Sequence, residues 1–98
     1  MSGPVLLTCG DPAGIGPEIA ARAWAAGERF RWIGDPRHLP AGTAWRLVAE
    51  GEGPGEGAMA VLRHDFAAPA LPGQPVAANA AGVVEVIARA VRLVQAGL

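Results

Sequence analysis

The chain has 98 residues, 51% of them hydrophobic and 17% charged, and its eight arginines and nine acidic residues leave a net charge of −1. That content excludes a disordered chain, and no apolar run approaches the ~20 residues of a membrane span. The arginines (Arg22, Arg29, Arg31, Arg37, Arg46, Arg63, Arg89 and Arg92) are scattered, which argues against a nucleic-acid partner. The single cysteine, Cys9, rules out an internal disulfide, and the N-terminus lacks the charged start and apolar core of a signal peptide. Both features fit a reducing cytoplasm.

Val5 to Cys9 reads as an apolar strand. It runs into Gly10-Asp11-Pro12-Ala13-Gly14-Ile15-Gly16, three glycines within seven residues, after which Pro17-Glu18 opens a helix. The order strand, tight loop, helix N-terminus is where α/β proteins bind ligands. Pro12 stands where a dinucleotide fingerprint needs its second glycine, and the chain has no lysine for a phosphate loop, so neither standard phosphate motif is present. Pro17 suits the first helical turn, and Glu18 complements the positive end of the helix dipole. With Asp11 nearby, the loop is better suited to hydroxyl groups, a ribose or an orienting hydrogen bond than to an isolated phosphate. Alternatively, its glycines serve only a tight turn with close packing.

The helix is expected to run from Pro17 to about Ala26, with Ile19, Ala20, Ala23 and Trp24 on one face and Gly27 stopping it. Further strands are expected around Phe30 to Ile33, Trp45 to Val48 and Met59 to Arg63. The Gly/Glu-rich stretch 49–57 between the last two reads as an exposed hairpin or loop. A strand–helix–strand opening favours a parallel crossover. The middle strands, with no helix between them, are expected to pair antiparallel, giving a mixed sheet. Pro69 to Pro75 reads as a connection. A final helix is expected from about Asn79, as N-cap, to Ala96, with Gly97 as terminator. Val83, Val84, Ile87, Val91 and Val94 form its apolar stripe, read as packing on its own sheet, and Glu85 and Arg89 are placed to pair.

Three other residue types invite a functional reading. Cys9 is expected to be a buried packing thiol. His38 and His64, 26 residues apart and without metal-ligand spacing, read as surface residues. Asp35, at the end of the second strand, either holds a ribose, as acids at that position do in many nucleotide folds, or initiates a turn with Pro36.

The run Leu7-Thr8-Cys9-Gly10-Asp11-Pro12-Ala13-Gly14-Ile15-Gly16-Pro17-Glu18-Ile19 resembles the N-terminal signature of the 4-hydroxythreonine-4-phosphate dehydrogenase family of vitamin B6 biosynthesis. Ile33-Gly34-Asp35-Pro36 and Pro72-Gly73-Gln74-Pro75, the latter followed by the long alanine-rich helix, resemble later features of that family in the same order. The resemblance implies an α/β fold, the N-terminal part of the isocitrate/isopropylmalate dehydrogenase-like α/β/α architecture. Members of the family are several-fold longer, so residues 1–98 read as an N-terminal segment. A lone unit of this size buries roughly 60–70% of the surface its unfolded chain exposes.

The resemblance further implies a homodimeric enzyme that oxidises 4-phosphooxy-threonine, a small phosphorylated amino acid, with NAD and then decarboxylates the product. A divalent metal (Zn, Mg or Co) assists by stabilising charge on the substrate oxygen. The family's metal-binding histidines, its substrate-binding histidine–threonine pair and its catalytic lysine have no counterpart here. Gly10, Asp11, Gly14, Ile15 and Gly16 would border the nicotinamide end of the cofactor, and no catalytic or metal-binding residue is expected in this segment. The 98 residues alone are therefore expected to be inactive. A relative acting on another phosphorylated hydroxy acid, a free-standing nucleotide-binding module and a ligand-free remnant remain the alternatives.

Overall fold

Two stretches of the sequence are apolar on both side-chain parities, the pattern of a strand covered on both faces. They form the centre of a four-stranded sheet. In the computed structural model, which describes residues 5–10, 14–69 and 73–98, the strands are β1 (Leu6–Thr8), β2 (Arg31–Gly34), β3 (Trp45–Leu47) and β4 (Met59–Arg63), in the order β1-β2-β4-β3. Helix α1 (Gly16–Ala25) joins β1 to β2, and α2 (Ala80–Gln95) follows β4. The central strands β2 and β4 are buried throughout, except for Arg63 at the end of β4.

All three strand pairings are parallel, with Leu7 opposite Trp32, Trp32 opposite Val61, and Leu47 opposite Val61. The antiparallel middle strands expected from the missing helix, and with them the mixed sheet, are therefore corrected. Residues 48–58 return the chain to the start of β4 without a helix, and the loop is not a hairpin. Side chains from elsewhere hold it. Arg31 donates to the carbonyls of Glu50 (2.7 Å) and Glu52, Arg46 donates to the carbonyl of Pro54, and Trp24 Nε1 donates to that of Gly57 at 2.7 Å. Arg29 pairs with Glu56 and lies 4.3 Å from the centroid of the Trp24 ring. Backbone groups that a helix would have satisfied internally are thus satisfied by cationic and indole donors.

The helices cover opposite faces. Phe30 meets Trp24 of α1 edge-on at 5.5 Å, whereas Arg31, pointing the other way by strand alternation, holds the carbonyl of Glu50, whose carboxylate is bound by Arg89 of α2. On the α1 side the core contains Cys9, Ala20, Trp24, Phe30, Trp32 and Met59; on the α2 side it contains Ile33, Leu62, Val86 and Leu93. Phe66, just past β4, packs against Gly82, where a Cβ would come within 2.6 Å of its ring.

Both helices stop at the expected glycines, in Schellman geometry. Gly27 (φ +104°) and Glu28 donate back to Trp24 and Ala23, and Gly97 (φ +78°) and Leu98 donate back to Val94 and Leu93. The helix faces differ from the sequence pattern. Ile19 is exposed in α1, and α2 buries Gly82, Val86 and Leu93 while Val84, Ile87, Val91 and Val94 stay half or more exposed. The apolar arc of α2 is wider than the sheet it covers, so the stripe read from the sequence lies mostly on the arc's uncovered half. Glu85 and Arg89 do not pair with each other, since each turns to residues at the end of β4 or in the loop after β3. Asn79 makes no side-chain cap; it clamps Ala68 instead, donating to its carbonyl and accepting from its N–H, both at 2.9 Å.

Candidate functional site

Because every strand runs the same way, the loops after β1, β2 and β4 gather at one edge of the sheet, the edge at which open α/β folds bind ligands. The glycine loop is there. Gly10 has φ +65°, a left-handed conformation open to glycine, and a Cβ built on it would meet nothing within 4 Å. At the far end of the loop, a Cβ on Gly16 would overlap the backbone carbonyl oxygen of Cys9. Glycine at that point brings the start of α1 against the end of β1. Gly14 and Ile15 are exposed, Ile15 to 69%, so among the described residues of the loop these present backbone and an apolar side chain to the open edge. Asp11 lies outside the described residues. Glu18, in the first turn of α1, is paired with Arg22 at 2.7 Å.

The loop after β2 turns on Asp35, which is fully buried. One carboxylate oxygen accepts from the Arg37 N–H at 3.0 Å, capping the 3-10 turn Pro36–His38. The other accepts from the Phe66 N–H at 2.9 Å and from Arg37 Nη2 at 2.7 Å, and Arg37 Nη2 also donates to the Phe66 carbonyl at 2.8 Å. Burial works against ionisation of Asp35. The hydrogen bonds from the Arg37 side chain and from the Phe66 and Arg37 N–H groups, with the charge of Arg37, outweigh it and hold the carboxyl at about 2 against an ordinary 3.8. Asp35 thus initiates a turn and ties the end of β2 to the end of β4. Its acceptors are engaged within the protein, which removes the ribose-holding alternative.

His38 is buried, not a surface residue, because the 3-10 turn folds it beneath the loop after β4. Its Nε2 faces the carbonyl of Ala68 at 3.1 Å and so carries the proton, and its ring meets Phe66 edge-on at 5.5 Å. His64 is half-buried between Glu85, 3.3 Å from Nε2, and Arg89, 3.4 Å from Nδ1. A guanidinium only donates, so Nδ1 accepts and Nε2 faces the carboxylate with its proton. Among the described residues no group of three His, Cys, Asp or Glu side chains is placed to hold a metal ion. Cys9 is buried as expected, with Sγ donating to the Gly10 carbonyl at 3.3 Å.

Sequence reading missed Arg37 and gave other roles to Arg89 (a pair with Glu85) and Asn79 (an N-cap), the three residues that fix this edge. For Arg37 a signal was present, since Asp-Pro-Arg places an N–H two residues after an aspartate, the spacing of an Asx turn. Arg89 and Asn79 act across 25 residues (Arg89 on His64) and 11 residues (Asn79 on Ala68), through contacts that only the fold creates. A separate groove of about 450 Å³ between α1 and residues 40–44 contains none of the glycine-loop residues, and its charged groups, Glu18 and Arg22, neutralise each other.

No protein-family model matches the chain. It is 61% identical over 95 residues to a protein from Paracoccus denitrificans (strain Pd 1222), with 96% of this chain and 30% of the relative covered. Identity is 51% over 100 residues with a protein from Roseobacter denitrificans (strain ATCC 33942 / OCh 114) and 43% over 99 residues with one from Ruegeria sp. (strain TM1040), again across 31% and 30% of the relative. All three are named 4-hydroxythreonine-4-phosphate dehydrogenase. The chain therefore spans about 30% of the length of the curated relatives it matches, and over that span it belongs to the 4-hydroxythreonine-4-phosphate dehydrogenase family.

Proposed function

We propose that these residues are the N-terminal part of an NAD-dependent 4-hydroxythreonine-4-phosphate dehydrogenase with an isocitrate dehydrogenase-like fold, in which the glycine loop borders the nicotinamide end of the cofactor. The substrate class is a small phosphorylated hydroxy amino acid, and the working form is a cytoplasmic homodimer. The observation that carries the reading is the position of the loop's two ends in a chain 61% identical to a protein of that name: Gly10 follows β1 and Gly14 to Gly16 lead into α1 at the carboxyl edge of a sheet whose described strand pairings are all parallel. Space beside Gly10 and the exposure of Gly14 and Ile15 fit a flat ring approaching backbone closely. When bound, NAD would supply the hydride acceptor.

The roles of the chain's own residues are positional. Gly10, Gly14 and Gly16 let the backbone approach, Ile15 offers an apolar wall, and Asp11 offers acceptors. The Asp35–Arg37–Phe66 clamp keeps the two neighbouring loops, after β2 and β4, in register with each other. The described residues do not fit the divalent metal, so its ligands are assigned to the part of the enzyme that the chain does not span. The test compares the 98-residue chain with a product that continues through the downstream coding sequence, each given 4-phosphooxy-threonine, NAD and a divalent cation. NADH formation by the longer product alone is the expected result. Turnover by the 98 residues, or none by the longer product, would refute the proposal.

A further inference from the structure

The glycine loop carries no phosphate-binding motif and the chain has no lysine, so the cations these residues can offer a phosphoryl group are arginines. Two of the eight stand at the carboxyl edge of the sheet. Arg63 ends β4 opposite Gly34, the last residue of β2, and the Cys9 N–H donates to the carbonyl of Ile33, one residue earlier. Arg63 is therefore level with the point at which the glycine loop begins. It shares the strand parity of Met59, which places it toward the side on which that loop leads into α1. Arg37 stands in the turn after β2, the strand between them.

Both guanidinium groups keep donors to spare. Asp35, buried behind Arg37, takes its Nε and Nη2, and Nη1 makes no hydrogen bond among the described residues. Asp65 takes only Nε of Arg63, at 2.7 Å, which leaves both Nη groups. The two side chains are 47% and 53% exposed. Their charges act on each other, and Asp65 acts on both. The backbone beneath them is pinned: Arg89 donates to the Arg63 carbonyl at 2.7 Å, the His64 N–H to the Gly34 carbonyl at 3.0 Å, and Arg37 to the Phe66 carbonyl at 2.8 Å. Planar forks with exposed donors on a fixed backbone suit the paired oxygens of a phosphoryl group.

Resting on the family reading above, we propose that Arg37 and Arg63 form the seat of the cofactor's pyrophosphate. In the order β1-β2-β4, the end of β4 lies two strand spacings, about 10 Å, from the end of β1. A nicotinamide ring against the glycine loop is joined through one ribose to its pyrophosphate, which that interval accommodates. Asp65 competes with the anion for Arg63, so removing its charge strengthens the seat.

The test measures dissociation constants in the product continued through the downstream coding sequence, with NAD and with nicotinamide riboside, which lacks phosphate. Arg63→Gln is expected to bind NAD about tenfold more weakly and nicotinamide riboside as the native protein does. Asp65→Asn is expected to bind NAD more tightly, and Arg92→Gln, an exposed charge in the last turn of α2, to leave both constants unchanged. Unaltered NAD affinity in Arg63→Gln, or equal weakening of both ligands, overturns the proposal and leaves the family reading standing. So does weakened binding of 4-phosphooxy-threonine with NAD unaffected, which would assign the arginines to the substrate's phosphate. Failure of the native longer product to bind NAD refutes the family reading itself, and the seat falls with it.

Discussion

Replacing Asp35 by Asn isolates the charge of the buried carboxylate on which the site edge turns. The native group titrates at about 2 in the folded chain against 3.8 ordinarily. At about 1.4 kcal/mol per pK unit the ionised form contributes about 2 kcal/mol to folding at neutral pH. Because the folded value is the lower one, that contribution is complete above pH 4 and fades as pH falls from about 4 to about 2. Asp35→Asn keeps the shape and one acceptor but loses the charge facing Arg37. Urea unfolding followed by the fluorescence of Trp24 and Trp32 is expected to show the variant about 2 kcal/mol less stable at pH 7. The gap should close as both proteins are taken from pH 4 to pH 2. A penalty that stays constant across this range would show that packing and not charge carries the effect, and a penalty near zero at pH 7 would refute the clamp.

Further substitutions test the geometry. Gly16→Ala drives a methyl group into the Cys9 carbonyl and is expected to cost about 1–3 kcal/mol, measured by urea midpoint. Gly82→Ala presses on the Phe66 ring and should be destabilising by a similar amount, whereas Gly82→Ala combined with Phe66→Leu should recover part of the loss. On α2, Leu93→Ala is expected to cost about 2–5 kcal/mol and Val94→Ala under about 0.5 kcal/mol in the 98-residue chain, and thermal melts would expose a reversal.

Much of the fold was legible because local chemistry and tertiary structure agree. Val5 to Cys9, Met59 to Arg63 and the two Gly-terminated helices carry patterns that hardly depend on neighbours. The strand direction in the middle of the sheet was not legible, because the return through residues 48–58 rests on Arg31, Arg46 and Trp24, donors distant in sequence. The face of α2 was misread for a related reason: an apolar arc of about 200° holds two apolar stripes, and periodicity does not choose between the one that meets the sheet and the one that overhangs its edge. His38 looked like a surface residue because nothing local signals that the turn begun by Asp35 folds it under Ala68. At the site, the glycine loop was visible from its spacing, while the clamp behind it needed the fold to bring Phe66 to Asp35.

The most direct test of the account is whether the nicotinamide ring lies against the glycine loop. In the longer product with NAD bound, magnetisation transfer from the nicotinamide protons to side-chain methyl groups would be recorded by NMR. The account expects transfer to the methyls of Ile15, with shifts of the Gly10 and Gly14 amides. Saturating NAD binding that leaves Ile15, Gly10 and Gly14 untouched would contradict it.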